Sequence, residues 1–137
     1  MNILKFFERN SFNLHNAKLP DYKGHYSINH AILNREKFYT STIHLMSKNV
    51  DSGDIVFEKK CKINKNETAF SLYNKTFKNC LEIFDKLLSH LQDKKKIKYK
   101  KINNKGKFYN KSSIQKLKNI SSIKNFKEID LKVRAFY

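Results

Sequence analysis

An amide and an imidazole lie two residues apart near the start of the chain, at Asn13 and His15. The alternating character of residues 11–15 predicts a short strand, and residues two apart on a strand point to one face. A loop with the single Pro and a Gly follows at 16–24, and ligands commonly bind where the strands of an α/β sheet end. Because an amide can donate to an oxyanion and an imidazole can donate or move a proton, the pair suits acyl transfer.

Other polar residues give weaker signals, and Asn-x-His alone is itself a weak one. Asp51 lies in a Gly-containing turn, where its carboxylate either reaches a site or only stabilises the turn. His44 lies on a predicted strand and is interpreted as a structural histidine. His25 and His30 are five apart, which is wrong for two ligands on one helical face, so we expect no metal site.

Hydrophobic patterning predicts the elements that must position these residues. A helix is predicted over 25–36, with Ile28, Ala31 and Ile32 on one face. Strands are predicted over 38–46 and 54–63, joined by a turn and paired antiparallel.

The strongest periodicity predicts an amphipathic helix over 67–92, capped by Asn66 or Thr68. We expect its apolar stripe to pack against the sheet. The stripe consists of Phe70, Tyr73, Phe77, Cys80 or Leu81, Phe84, Leu87 or Leu88, and Leu91.

The remainder of the chain is predicted to hold less regular structure. Residues 97–102 and 107–109 flank an Asn-Asn-Lys-Gly segment, which indicates a β-hairpin. A weakly patterned helix or coil is predicted over 112–130.

Charge divides the chain into two unequal parts. The formal net charge is +17, of which residues 1–58 carry +1 and residues 59–137 carry +16. Only three of the 29 basic residues are Arg. The planar Arg guanidinium, with its paired N–H donors, is the group that favours recognition of phosphates and bases. A basic surface can bind nucleic acid, but a solvated lysine-rich surface is the favoured interpretation here.

Composition excludes several classes of protein. With 39% hydrophobic and 13% aromatic residues, the chain is too apolar to be a disordered basic tail. No apolar run reaches the ~18 residues of a membrane span, and residues 1–9 do not form a secretory signal. Cys61 and Cys80 have no CxxC spacing and are interpreted as reduced thiols, so we expect a cytoplasmic protein.

Two motifs carry a resemblance to a known family. Residues 12–24, Phe-Asn-Leu-His-Asn-Ala-Lys-Leu-Pro-Asp-Tyr-Lys-Gly, resemble the Asn-x-His…Leu-Pro…Gly segment of the folate-dependent formyltransferases. Residues 42–46, Thr-Ile-His-Leu-Met, followed by Val-Asp-Ser-Gly-Asp-Ile-Val at 50–56, resemble the second motif of that family. Their order and separation also match. The form of residues 16–30 is closer to enzymes that N-formylate nucleotide-linked amino sugars for surface polysaccharides such as the O-antigen.

The resemblance implies an architecture. The fold would be α/β: the C-terminal half of a Rossmann-like catalytic domain over residues 1–92, then a basic extension with a small β-hairpin over residues 93–137. Family members begin with a doubly wound half that precedes the Asn-x-His strand, and this half is expected to be missing here. We therefore expect the isolated chain to be inactive or weakly active, and a separately encoded N-terminal half to be a partner.

The resemblance also implies a mechanism with 10-formyltetrahydrofolate as the formyl donor and the amine of a nucleotide-linked amino sugar as the acceptor. Asn13 would donate to the oxyanion, His15 would stabilise the oxyanion and move the amine proton, and Asp51 would orient or charge-balance His15. Further contacts are expected from two groups of residues. Those to folate would come from Val50, Asp51 and Gly53, and those to substrate from Lys23, Tyr26 and Asn29.

Three alternatives stay open from the sequence. The first is a methionyl-tRNA formyltransferase-like protein, which only the basic back half supports. The second is a basic binding module, and the third is an inactive remnant. A homodimer is compatible with each of them.

Overall fold

The computed structural model describes residues 11–103 and 105–137. Residues 1–9, predicted not to be a secretory signal, lie outside the described residues. The elements follow in chain order, with two short 3-10 helices, at Lys111–Ile114 and Lys116–Lys118, before the last helix. They are β1 (Phe12–His15), β2 (Lys23–Gly24), α1 (Ser27–Leu33), β3 (Phe38–Leu45), β4 (Ile55–Lys62), α2 (Ala69–Gln92), β5 (Phe108–Tyr109) and α3 (Phe126–Phe136).

The main sheet has the strand order β1-β3-β4, and both pairings are antiparallel. This confirms the three predicted strands and the predicted antiparallel pairing of β3 with β4; the pairing of β1 with β3 was not predicted. The β1–β3 register places Asn13 opposite His44, and an irregularity in the β3–β4 register lies between Ile43 and His44. Such irregularities re-aim side chains and are common beside functional sites.

Helix α2 runs over Ala69–Gln92, and its N-terminal cap is Thr68, one of the two predicted caps. The Ser71 N–H donates to the Thr68 hydroxyl at 3.1 Å, and the Ser71 hydroxyl accepts from the Thr68 N–H at 2.9 Å. This reciprocal arrangement satisfies two N–H groups that would otherwise lack partners at the helix start.

The buried face of α2 differs from the predicted one. Most of the apolar stripe faces solvent, so the prediction that the stripe packs on the sheet is wrong for most of its residues. Seven side chains are between 39% and 67% exposed: Phe70, Tyr73, Phe77, Leu81, Phe84, Leu88 and Leu91. The buried face comprises Leu72, Thr76, Asn79, Cys80, Ile83 and Leu87.

Part-buried hydrogen bonds hold polar residues of the buried face of α2 in place. The Asn16 amide donates to the Thr76 hydroxyl at 2.8 Å, and the Ser41 hydroxyl donates to the Asn16 side-chain oxygen at 2.8 Å. Periodicity weighs only apolar residues, whereas polar groups taken out of water must be paired to avoid a large desolvation cost.

Among the described residues, segments 97–102 and 107–109 do not pair with each other as the predicted hairpin requires. Lys100 instead forms an isolated antiparallel bridge with Ile55, and β5 pairs in parallel with β2. The Tyr109 ring is buried between the rings of Tyr22 and His30, at centroid distances of 5.6 and 3.9 Å. Aromatic burial and stacking at this place outweigh the local turn preference of Asn-Asn-Lys-Gly.

The C-terminal residues pack into the same core as the front of the chain. Tyr109 and Ala135 belong to one buried cluster with Ala17, Ala31 and Leu72. Residues 112–130, predicted as weak helix or coil, include the 3-10 turns and the start of α3. Among the described helices, none combines the length and apolar character needed to cross a bilayer.

Candidate active site

Four polar side chains meet where β1, β3 and the following loop come together. Asn13 and His15 lie on one face of β1, His44 lies on β3 opposite Asn13, and Asp51 comes from the loop between β3 and β4. The sequence predicted three of the four. A pocket of about 250 Å³ opens beside Asn13, His44 and Asp51 and is otherwise lined by loop residues 46–50.

His15 is held in one orientation by a backbone carbonyl. Its Nε2–H donates to the Tyr22 carbonyl at 2.8 Å, and its Nδ1 lies 3.6 Å from Asp51 Oδ2. Because a carbonyl only accepts, the neutral ring carries its proton on Nε2 and its lone pair on Nδ1. A proton gained at Nδ1 would therefore face the Asp51 carboxylate directly.

Burial lowers the pKa of His15, and the hydrogen bond to the Tyr22 carbonyl and the Asp51 charge only partly offset this effect. The His15 side chain is 11% exposed. At neutral pH the ring is therefore uncharged and able to accept a proton, as a general base requires.

Asp51 is held as an anion by its partners. Burial alone would raise the pKa of its carboxyl, but the hydrogen bond from the Gly24 N–H, and the neighbouring histidine rings when they are protonated, lower it. The Gly24 N–H donates to Asp51 Oδ2 at 2.9 Å. A fixed negative charge beside His15 is suited to stabilise an imidazolium.

His44, interpreted from the sequence as structural, belongs to the cluster. Its Nδ1–H donates to the Leu45 carbonyl at 2.7 Å, so the Nε2 of the neutral ring accepts from the Asn13 amide at 3.0 Å. The other Asn13 N–H lies 3.5 Å from Asp51 Oδ1, at the long limit of a hydrogen bond. The strand register brings His44 to Asn13, and no local pattern reveals that register.

Two glycines let the backbone approach closely around Asp51. Gly24 has φ +87° and donates to Asp51, and a Cβ there would collide with the Tyr109 carbonyl. A Cβ on Gly53 would collide with the Leu45 backbone carbonyl. Asp51 itself has φ +49°, a conformation that Asp tolerates better than most residues. The loop geometry that aims the carboxylate thus depends on small side chains.

We expect Gly53→Ala to destabilise the fold by about 2 kcal/mol or more, because a backbone collision forces the loop to move. Urea unfolding followed by circular dichroism measures the change. Asn49→Ala, an exposed neighbour in the same loop, is the matched control and should change stability by less than about 0.5 kcal/mol. Equal midpoints for the two variants would contradict the expectation.

The predicted substrate residues lie in different surroundings. Lys23 is buried on β2 and lines a pocket of about 450 Å³ with Val50 and Phe108, next to the cluster. Tyr26 is exposed just before α1. The Asn29 amide donates to the Ala135 carbonyl at 2.6 Å, so it faces α3, and none of its hydrogen bonds given by the structure reaches the cluster.

The lowered pKa of His15 predicts acid sensitivity. Since the folded state disfavours the charged ring, the stabilisation is complete above the unfolded pKa of about 6.5 and is lost as the pH falls below it. The free energy of unfolding should decrease from pH 7 to pH 5 by a smaller amount in His15→Gln than in wild type. The difference cannot exceed about 1.4 kcal/mol per pH unit.

Replacement of the exposed His25 by Gln is the control for this experiment. Burial also lowers the pKa of His30, so part of the wild-type loss persists in His15→Gln. An identical pH dependence in His15→Gln and wild type would show that His15 titrates alike in the folded and unfolded states.

The Asn13 amide and the Asp51 carboxylate line one pocket, and the neutral His15 imidazole lies against that carboxylate, an arrangement suited to acyl-group transfer. The family model described as Formyl transferase matches residues 1–88, and the chain therefore belongs to the formyl transferase family. The α/β architecture predicted from the resemblance is confirmed.

Two relatives with known functions each match about half of the chain. The methionyl-tRNA formyltransferase of Buchnera aphidicola is 40% identical over 73 residues, which are 53% of this chain and 23% of that protein. The GDP-perosamine N-formyltransferase of Brucella melitensis is 35% identical over 72 residues, which are 53% of this chain and 28% of that protein.

Solved structures match almost the whole chain. The N-formyltransferase of Helicobacter canadensis, in complex with folinic acid and dTDP-3-aminofucose, has a TM-score of 0.83 and 29% identity, covering 93% of this chain and 48% of that one. A sugar 3N-formyl transferase with dTDP and 5-N-formyl-THF has a TM-score of 0.81 and 29% identity, covering 93% and 47%. The chain spans about half the length of these two proteins.

Proposed function

We propose that this chain supplies the catalytic residues of a formyltransferase that acts on the amine of a nucleotide-linked amino sugar, with 10-formyltetrahydrofolate as donor. The observation that carries the proposal is the cluster of Asn13, His15 and Asp51 beside the pocket. The structural similarity to sugar N-formyltransferases supports the acceptor class, because it covers 93% of the chain and so extends well into residues 93–137.

The pocket fits part of a folate site. Its volume of about 250 Å³ lies below the ~300–1,000 Å³ of complete ligand sites. Exposed Met46 and Val50 line it beside the polar cluster, which suits one face of a flat ring. We infer that Val50, Asp51 and Gly53 hold this end of the donor through the loop that they form.

Each side chain has a defined task in the proposed reaction. The bound formyl donor supplies the carbon that the sugar amine attacks, and its bond from that carbon to nitrogen breaks as the amide forms. Asn13 turns its weakly held N–H from Asp51 toward the developing oxyanion. His15 accepts the amine proton at Nδ1, directly or through a water, and the proton finally reaches the nitrogen of the leaving tetrahydrofolate.

The geometry restricts when His15 assists the oxyanion. Its Nε2–H is held by the Tyr22 carbonyl, so donation from this ring becomes available at Nδ1 only after proton capture. Asp51 then faces an imidazolium, and the pair of opposite charges stabilises that state.

The test uses a joined enzyme, in which the N-terminal half of the Helicobacter canadensis enzyme is fused to this chain ahead of β1. Purified joined enzyme is incubated with 10-formyltetrahydrofolate and one of three acceptors: dTDP-3-aminofucose, GDP-perosamine or charged initiator tRNA. We expect formylation of an amino sugar, and at most weak activity of the chain alone. Transfer only to tRNA would favour the alternative that the Buchnera relative supports, and absence of transfer to all three would overturn the proposal.

A further inference from the structure

Two adjoining pockets lie at the end of the main sheet that is opposite to the candidate active site. Their volumes are about 270 and 520 Å³, and they share four lining residues: Arg35, Lys65, Leu131 and Arg134. The arginine groove is the space that these four residues line. It reaches Phe38 at the start of β3, whereas His44 of the active-site cluster lies roughly 20 Å further along the same strand. The groove is therefore a separate cavity.

Basic side chains dominate the walls of the two pockets. Six of them line this space: Arg35, Lys37, Lys62, Lys65, Lys127 and Arg134. The acidic residues that line it, Glu36 and Asp130, already have partners. Glu36 accepts from the Tyr22 hydroxyl at 2.8 Å, and Asp130 accepts from Arg134 Nε at 2.9 Å. A cavity lined in this way attracts an anion.

Arg35 holds a backbone conformation that usually selects glycine. It follows α1 with φ +56°. Its N–H donates to the Ile32 carbonyl at 2.9 Å, and the Glu36 N–H donates to the Ala31 carbonyl at 3.0 Å. These paired bonds close a helix end at which the left-handed residue is commonly Gly. A bulky side chain in this conformation carries a free-energy cost, and such strain is characteristic of ligand sites.

The guanidinium groups of the groove have unused donors. Within residues 11–103 and 105–137, the structure gives the Arg35 side chain neither a hydrogen bond nor an ion pair. Arg134 is fixed in orientation, since its Nε donates to Asp130 and its Nη1 donates to the Glu67 carbonyl at 3.2 Å. Among the described residues, Nη2 of Arg134 has no such partner. Guanidinium groups with paired free donors suit recognition of a phosphate.

An aromatic ring lies in the wall of the larger pocket. Phe126, the first residue of α3, is 81% exposed and lines the pocket with Lys127 and the apolar Leu131. An exposed ring of this kind can stack on the flat face of a base. The pocket volume of about 520 Å³ also lies within the ~300–1,000 Å³ of small-molecule sites. A stacking ring beside phosphate-binding groups is complementary to a nucleotide.

We propose that the arginine groove binds a nucleoside phosphate, with its phosphate oxygens on Arg35 and Arg134 and its base on the Phe126 ring. The proposal does not depend on the proposed reaction, because the groove lies at the far end of the sheet from Asn13 and Asp51. An inorganic polyphosphate would use the basic side chains alone and leave the ring uncovered, so the two kinds of ligand are distinguishable by experiment.

The decisive variant is Arg35→Gly, which removes the guanidinium and gives the left-handed position its preferred residue. The urea midpoint of this variant should therefore stay the same or rise. Arg35→Lys keeps the charge without the paired donors, and Phe126→Ala removes the ring. Lys78→Gln, which removes an exposed charge on α2 away from the groove, is the matched control. Isothermal titration calorimetry of the 137-residue chain measures the binding of ADP and inorganic pyrophosphate to each variant.

We expect wild type to bind ADP at least tenfold more tightly than pyrophosphate. Arg35→Gly should weaken ADP binding at least tenfold, with a smaller loss in Arg35→Lys and almost none in Lys78→Gln. Phe126→Ala should weaken the binding of ADP and leave that of pyrophosphate unchanged.

Equal ADP affinities in wild type and Arg35→Gly would overturn the proposal. Equal losses in Arg35→Gly and Lys78→Gln would also overturn it, by showing attraction to the net charge alone. Pyrophosphate bound as tightly as ADP would show a site for phosphate without a base and so contradict the nucleoside assignment. These affinities are measured without formyl transfer, so the proposal and the proposed function can fail independently.

Discussion

Asp51→Asn in the joined enzyme should lower the rate of formyl transfer on the order of a thousandfold, within the 10²–10⁴ range for losing acid–base catalysis. The substitution keeps the shape of the side chain and one oxygen that can accept the Gly24 N–H. It removes the charge that faces His15 Nδ1 at 3.6 Å, so the imidazolium formed by proton capture loses its counter-charge. Single-turnover rates measure the effect independently of product release.

The pH profile separates this role from a structural one. The Asp51 charge raises the pKa of His15, so its removal should move the acidic limb of the residual activity to lower pH. Asp54→Asn removes a carboxylate from the same loop outside the cluster and should keep the wild-type rate and profile. A thousandfold loss with an unmoved acidic limb would assign Asp51 to the loop structure instead.

Asn13→Ala in the joined enzyme should lower kcat a hundredfold or more, with a smaller change in KM. Removal of one oxyanion donor typically costs about 3–4 kcal/mol of transition-state stabilisation. The amide is set in place by the acceptor at His44 Nε2, 3.0 Å away, and its second N–H is held only weakly. One donor is therefore prepared to turn toward the substrate.

Steady-state kinetics with 10-formyltetrahydrofolate and the accepted sugar measure this loss. The matched control is Asn66→Ala, which removes an exposed amide from the turn before α2 and should leave kcat unchanged. If Asn13→Ala retains near-normal turnover, Asn13 is not the oxyanion donor and its contact with His44 is structural.

Local spacing indicated the candidate residues one by one, but not that they form one site. Asn13 and His15 share a face because a strand repeats every two residues, and the Gly-containing turn indicated Asp51 as a loop carboxylate. Only the resemblance implied that the three residues form one site. The residue pattern alone left open whether the Asp51 carboxylate reaches a site or only stabilises its turn. His44 was missed because its contact with Asn13 spans 31 residues and depends on the strand register.

The span of α2 was also predictable, and its cap was one of two predicted candidates, since both follow from interactions among residues within one or two helical turns. Its rotation was not predictable. The hydrogen bond from Asn16 to Thr76 links residues 60 apart in the chain, and the helix face that it joins is buried while seven apolar residues face outward.

The segment that was predicted to form a hairpin shows the same division between near and distant interactions. Its turn residues favour a local reversal, yet Tyr109 is buried on Tyr22 and His30 from a distant part of the chain. Local chemistry sets the spans of α2, β3 and β4 and the strand face that Asn13 and His15 share. The tertiary structure decides which faces are buried and which partners meet, because burial and hydrogen bonding between distant segments outweigh the smaller free energies of local preference.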